Sequence, residues 1–448
     1  MLKLLLKPVH GTPWLLLVCA WSVVALTVMH NNPNFQWTDL ERDAPYGGDF
    51  VQEWTGADIL NSSSAGQLYD LGYFGSWQHD PLRLGFRWSE NQYYPPVYPP
   101  VYYWLLKPLA MLSFHTAAEV WFTILLLSYI GAVCLTERFA APLAVSCPLV
   151  APERKSDGRP ISSDVLPVQA AAFWMAMLLL PAMLSSWVMA QKGTIWLLVA
   201  TISWILWQRD RKVSAGFVVA LLSIKPTLFV CLPLFMLWKR QGWFLVGLTL
   251  GTAALWLTAA CTLPQSIWYD YLKFVAEAGS YQLNSGYQMT WSCSLVSLFE
   301  FGHVGSFPTL KTILWLILAG FVLGSLREIR SEQLKSSETL FRLMMATCLL
   351  SPHWYYYDLV WLVLPLRMML ATAPKRAIAY TVVLWLGMTS AQLLGNHVQF
   401  PILALVCFGV LMHSRVVSRR KRKETNKHME LVERASELNA LKPQLATR

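Results

Sequence analysis

Long apolar runs broken by short basic clusters set the plan of this chain. The runs stand at about Gly11–Met29, Tyr98–Ser113, Val120–Leu135, Val168–Met189, Thr194–Trp207, Val213–Ile224, Pro226–Trp238, Trp243–Cys261, Leu310–Leu326, Thr339–Leu350, Asp358–Leu370, Ile378–Leu394 and Pro401–His413. A helix needs roughly 20 apolar residues to cross a bilayer. The pattern predicts an all-α, polytopic membrane helix bundle of about 11–14 spans, several of them short enough to end in protein-lined space. Two polar intervals interrupt it, 31–94 and 262–307.

The first interval carries Asp39, Glu41, Asp43, Asp49, Glu53, Asp58, Asp70, Asp80 and Glu90 against Arg42, Arg83 and Arg87. Within it Phe50, Trp54 and Ala57 fall at helical spacing, with Gln52, Glu53 and Asp58 off that stripe. This predicts a short amphipathic helix in the membrane interface, Phe50 and Trp54 in the headgroup layer, with Asp49 at its start. The polar, turn-rich stretch from Asn61 to Gly66 should end it. The second interval is an aromatic-rich outer loop with Trp268, Tyr269, Tyr271, Tyr281, Tyr287 and Trp291.

Charge placement orients the bundle. Lys3 and Lys7 precede the first run, and later clusters stand at Arg209–Lys212, Lys239–Arg240, Arg327–Arg330, Lys375–Arg376 and Arg415–Lys423. Cytoplasmic loops are enriched in Lys and Arg, so these mark inner ends, and the 414–448 tail is expected in the cytoplasm. Nucleic-acid binding by the tail is the weaker reading, because the cluster is juxtamembrane. One parity question follows. The later clusters put Gln191-Lys192-Gly193 outside, which needs an odd number of crossings between Tyr94 and Gln191 beyond the two clear spans and Val168–Met189. The apolar run Ala140–Val150 is the candidate, as a crossing shorter than the roughly 20 residues a span needs or as a re-entrant short helix.

Composition agrees with the pattern. Of 448 residues, 55% are hydrophobic and 14% charged, against about 25% charged in soluble domains. The eight cysteines show no Cys-x-x-Cys pair, and no metal-ligand spacing is present, so neither a disulfide framework nor a metal site is expected. The basic, apolar N-terminus is expected to remain as a first helix. The expected organisation is a membrane-embedded domain over 1–413 and the tail over 414–448.

By this topology four motifs meet at the outer face: Asp49, Gln191-Lys192-Gly193, Lys225-Pro226, and Ser351-Pro352-His353-Trp354 running to Tyr357-Asp358. Ionisable residues at span ends are costly and often functional. A carboxylate, cations, an imidazole and aromatic surface from Tyr98 suit an anionic lipid-linked substrate and a proton to be removed. Plainer readings stand beside each. Asp49 could simply cap a helix, Glu53 and Asp58 would be solvated, and Asp70 forms a turn or touches substrate. Lys225 snorkels or binds, His353 is an interfacial hydrogen-bonding group or a ligand contact, and Asp358 caps a span or binds.

Taken in order, Gly48-Asp49-Phe50 with Trp54, Leu68-Tyr69-Asp70, Tyr98-Pro99-Pro100 before Lys107-Pro108-Leu109-Ala110, Lys225-Pro226, and Ser351-Pro352-His353 with Tyr357-Asp358-Leu359 resemble the multi-spanning transferases of glycosyltransferase family 87, of the GT-C fold group. Where that family often has Gly-Gln-Asn-Gly this chain has Ala190-Gln191-Lys192-Gly193, and Lys225-Pro226-Thr227 replaces a frequent Lys-Pro-Gln. The resemblance implies a polyprenyl-phosphate sugar donor, often of mannose or another hexose, and a glycan or lipid acceptor. It implies transfer with inversion at the outer face of the bacterial inner membrane, with no metal or other cofactor and no nucleic acid. It implies Asp49 as general base. It places Lys225 and His353 at the donor phosphate, with Lys192, Gln191, Tyr98, Asp70 and Asp358 as further substrate contacts. Two other classes compete: a flippase of a lipid-linked sugar, and a family member that binds such a lipid without catalysis.

Overall fold

The computed structural model describes residues 38–39, 44–45, 47–87, 93–140, 170, 173–174, 176–178, 180–225, 231–284, 295, 298, 308–351, 356–393, 402–420 and 429–431. The expected first span Gly11–Met29, Pro226, His353 and most of the tail lie outside these residues. The fold is an all-α polytopic membrane bundle. A two-residue antiparallel pairing, β1 (Thr38–Asp39) with β2 (Ala44–Pro45), precedes the first described helix.

That helix, α1 (Gly48–Asn61), starts after Gly47, whose φ of 66° is left-handed backbone that glycine adopts without strain. It ends at Ser62, as the turn-rich sequence requires. The interfacial reading of α1 is overturned. Phe50 and Trp54 are buried against Phe114, and Phe50 also stacks on Trp121. The opposite face, with Gln52, Glu53 and Thr55, is buried too. Only helices on two sides explain a polar residue set so enclosed. Two short helices follow, α2 (Leu71–Gln78) and α3 (Pro81–Leu84), capped by the carboxylates of Asp70 and Asp80.

The expected second span does not form. Pro99 and Pro100 open α4 (Pro100–Leu106), which has seven residues and is about 10 Å long, a third of a bilayer core. Lys107-Pro108 then turns the chain. The Lys107 carbonyl accepts from Asn61 Nδ2 at 2.9 Å, and Ser113 caps the next helix with Phe114 already against α1. Tyr98 reaches Lys192 beside Glu53, and Phe114 packs on Phe50, so both ends of the segment 98–113 lie beside the first turns of α1. The parity question rests on the Ala140–Val150 run, which past Ala140 lies outside the described residues.

The third expected span is longer than the apolar run suggested. Helix α5 (Phe114–Leu135) continues through a wide turn, Thr136–Ala140, to give a 27-residue candidate span. Next come α6 (Pro181–Val188) and α7 (Gly193–Gln208), whose axes meet at 119°. Beyond them lie α8 (Lys212–Val219) with a tight continuation Ala220–Ile224, α9 (Cys231–Trp238) and α10 (Gly242–Thr262). Where a loop was expected, α11 (Gln265–Asn284) is a 20-residue helix with Tyr271 and Phe274 against Tyr69. Then follow α12 (Pro308–Arg327), α13 (Ser337–Leu350), a tight turn Tyr356–Leu362, α14 (Val363–Thr372), α15 (Pro374–Leu393) and α16 (Ile402–Arg420).

Among the described residues α5 with its turn, α10 and α16 are long and apolar enough to cross a membrane, and the bent pair α6–α7 makes a fourth candidate. Helices α8 and α10 approach until backbones touch. A methyl on Gly247 would lie 1.9 Å from the Val213 carbonyl oxygen, and one on Gly216 2.1 Å from that of Phe244. Small residues that let helices meet this closely are the usual adhesive of membrane bundles.

The basic clusters gather at one end. Lys335 pairs with Asp210 at 2.9 Å, Arg376 with Glu338 at 2.9 Å and Arg415 with Glu328 at 2.5 Å, while Lys239 donates to the Ile329 carbonyl. Arg209 lies over Phe139, so the turn closing α5 is at that end as well. A half-buried clamp holds it, Arg367 reaching both oxygens of Glu137 at 2.5 and 2.6 Å. The start of α1, the corner before α7 and the end of the α8 continuation form the other end.

Candidate active site

At that other end, α1, the α4 entrance, the α6–α7 corner, the α8 end and the Tyr356–Leu362 turn meet around a few charged side chains. The corner is fixed by its backbone. Ala190 sits at φ 50°, uncommon for a residue with a side chain. Its carbonyl accepts from Trp121 Nε1 at 2.9 Å, and Gly47 N donates to the Val188 carbonyl at 3.1 Å. These bonds dock the corner on the start of α1 and bring Gln191 and Lys192 beside Asp49.

Glu53 lies at the centre of the cluster. It is 0% exposed, and Lys192, 2% exposed, donates to its Oε1. Tyr102 donates its hydroxyl to Oε2 at 2.5 Å. Lys192 also donates to the Tyr98 hydroxyl at 2.8 Å and lies 4.0 Å from the Tyr98 ring centre. Two donors on two oxygens is the geometry of a carboxylate held ionised. Burial pushes the Glu53 carboxyl up from its ordinary range, while Lys192 and Tyr102 pull against that.

Asp49 stands one helical turn earlier on the same face. It is second in α1, not its cap, and no side chain caps that helix, so the capping role does not apply. Among the described residues its carboxylate makes no hydrogen bond and no ion pair. Burial first, then the charge of Glu53, push it up from 3.8 to about 7, with Lys192 and Lys225 opposing. A carboxyl that titrates near neutrality without a committed partner can take a proton from a substrate hydroxyl.

Lys225 closes the other side of the cluster. It donates to both oxygens of Asp358 at 2.5 and 2.6 Å and lies 5.5 Å from the Tyr357 ring centre. Gln191 is buried and its Nε2 finds no acceptor among the described residues. Asp49, Tyr98, Gln191, Lys192, Lys225 and Asp358 thus come together as the sequence motifs suggested. Asp70 does not. It is exposed and accepts from Tyr73 N at 2.9 Å as the cap of α2. Its neighbour Tyr69 makes the motif's inward contact, donating to the Tyr98 carbonyl at 2.7 Å.

Two participants escaped sequence reading. Glu53, expected in solvent, is enclosed. Tyr102 was read only as part of an apolar run. The spacing of Asp49 and Glu53, four apart, was the available signal, since it puts both on one helix face. Asp58, also expected in solvent, accepts from Trp77 Nε1 at 2.9 Å and Arg83 at 3.2 Å, a brace that ties α2 and α3 to α1.

A comparison with known families finds that the family model described as Glycosyltransferase family 87 matches residues 97–352, more than half of the chain. No curated protein and no solved structure matches the chain.

Proposed function

The chain belongs to glycosyltransferase family 87, a membrane glycosyltransferase family, and from that premise we propose that it moves a hexose, such as mannose, from a polyprenyl-phosphate donor to a glycan or lipid acceptor. The observation that carries the reading is the contrast between two neighbouring carboxylates. Glu53 is engaged at both oxygens, while Asp49 has no hydrogen bond or ion pair among the described residues and titrates near neutrality. Asp49 is the proposed general base. A sugar hydroxyl is a weak nucleophile, and a positioned base typically contributes about 10²–10⁴-fold in rate.

The reaction is a single displacement. The acceptor oxygen loses its proton to Asp49 and attacks the anomeric carbon, and the lipid phosphate leaves with the bonding pair. One displacement inverts that carbon. The leaving phosphate needs positive charge near the oxygen that gains it. Lys225, steered by Asp358, is the proposed cation, and His353 its partner on sequence grounds. Gln191 supplies a buried amide whose Nε2 has no acceptor among the described residues, and Tyr98 aromatic surface. In this proposal the site faces the periplasm of a bacterial inner membrane, the domain spans 1–413, and the 414–448 tail is cytoplasmic.

Transfer from a labelled polyprenyl-phosphate mannose by purified protein tests the reading. Asp49→Asn is expected to lower turnover by about 10²–10⁴-fold with unchanged folding. Equal activity in Asp49→Asn would remove Asp49 as the base. Passage of intact lipid-linked sugar across a vesicle bilayer, with no new glycosidic bond, would replace the reaction by transport.

A further inference from the structure

Glu53 and Lys192 take no part in the displacement above, yet they are among the most enclosed charges of the described residues. Stability does not explain them, because a buried ion pair contributes little over apolar residues of the same volume. Their placement points elsewhere. Lys192 is close enough to act electrostatically on Asp49 as well as on Glu53. An ammonium left unpaired there would turn to Asp49, which has no partner among the described residues. Asp49 would then be a paired anion, and a poor base.

We infer that Glu53 is a positioning residue for Asp49: gripped by Lys192 and Tyr102, it holds the lysine off Asp49 and keeps a fixed negative charge one helical turn away. The inference rests on the reading of Asp49 as a base but is tested apart from it. The groups that face Asp49 are Glu53 on α1, Lys192 from the corner before α7, Lys225 from the α8 continuation and Asp358 from the turn before α14. The phenols of Tyr98 and Tyr102 hold Lys192 and Glu53 in turn. Of these, Glu53 stands ahead of Lys192 in its influence on Asp49. Losing Glu53 therefore removes the larger like charge and frees the opposite one, both in the same direction.

Dicyclohexylcarbodiimide reacts with protonated carboxyl groups, and peptide mass spectrometry separates an Asp49 adduct from one on Glu53. Labelling of the full-length detergent-solubilised protein across pH needs no substrate, so its result is independent of whether transfer is the reaction. The wild-type midpoint at Asp49 is expected near pH 7. In Glu53→Gln it should fall by at least about one pH unit, a tenfold loss of proton affinity. In Glu53→Gln/Lys192→Met, where the freed ammonium is also gone, it should fall by only about half a unit. The double variant exchanges a buried ion pair for uncharged side chains, which folds tolerate, and it carries the test if the single variant does not fold. A midpoint that stays at the wild-type value in the folded variant overturns the inference.

Discussion

Asp49 and Glu53 have the same chemistry and opposite situations, and the difference is one of partners. A carboxyl raised from 3.8 to about 7 binds its proton more tightly in the folded chain than in the unfolded one. The stability this lends is complete below pH 3.8 and is lost as pH rises through about 7. The loss is on the order of 4 kcal/mol. Unfolding of the wild type, followed by thermal shift, is therefore expected to become easier from pH 4 to pH 7, and Asp49→Asn should flatten that dependence. Transfer should follow the reverse course, rising with pH as the base deprotonates. Lys192→Ala should destabilise by about 3–5 kcal/mol, since it leaves Glu53 buried without its cation. Glu53→Gln/Lys192→Met should unfold far closer to the wild type. The Asp49 half of this was legible in the sequence. The Glu53 half was not, because a lone glutamate on a helix gives no sign of whether water or a second helix faces it.

At the scale of elements, apolar runs located the helices and misjudged two. The run 98–113 has the composition of a span, and hydropathy is blind to a chain that turns back. The sign present in the sequence was Lys107-Pro108, a charge and a helix breaker in mid-run. The interval after Thr262 was read as a loop because it is polar, yet α11 needs only Ile267, Tyr271 and Phe274 as an inward stripe. The α8–α10 contact yields a sharp expectation. Gly247→Val would drive a side chain into the Val213 carbonyl 1.9 Å away, so folded protein recovered by gel filtration should fall steeply. Gly242→Val, where a side chain would meet nothing within 4 Å, should be recovered as the wild type is.

For the molecule as a whole, the two ends differ in kind. One gathers arginines and lysines into exposed or half-buried pairs, and the other buries the cluster around Asp49. This separation was the most legible feature of the sequence, because charge bias accumulates over many loops and needs no single contact. It permits a test of orientation. In a background without native cysteines, Leu82→Cys, at a 94% exposed position on the helices that follow α1, should react with an impermeant maleimide on intact cells. Arg419→Cys, whose native side chain is 58% exposed, should react only after the membrane is opened. The reverse pattern would turn the site toward the cytosol.

The excursion from Tyr98 to Ser113 has a consequence for how such a protein can change. A segment that crosses the bilayer fixes the sidedness of everything after it, so its loss inverts the remainder. A short helix and turn that begin and end beside the same helix impose no such debt. Residues could be added or trimmed there, reshaping what docks near the carboxylates, and each later helix would still point the way it does now.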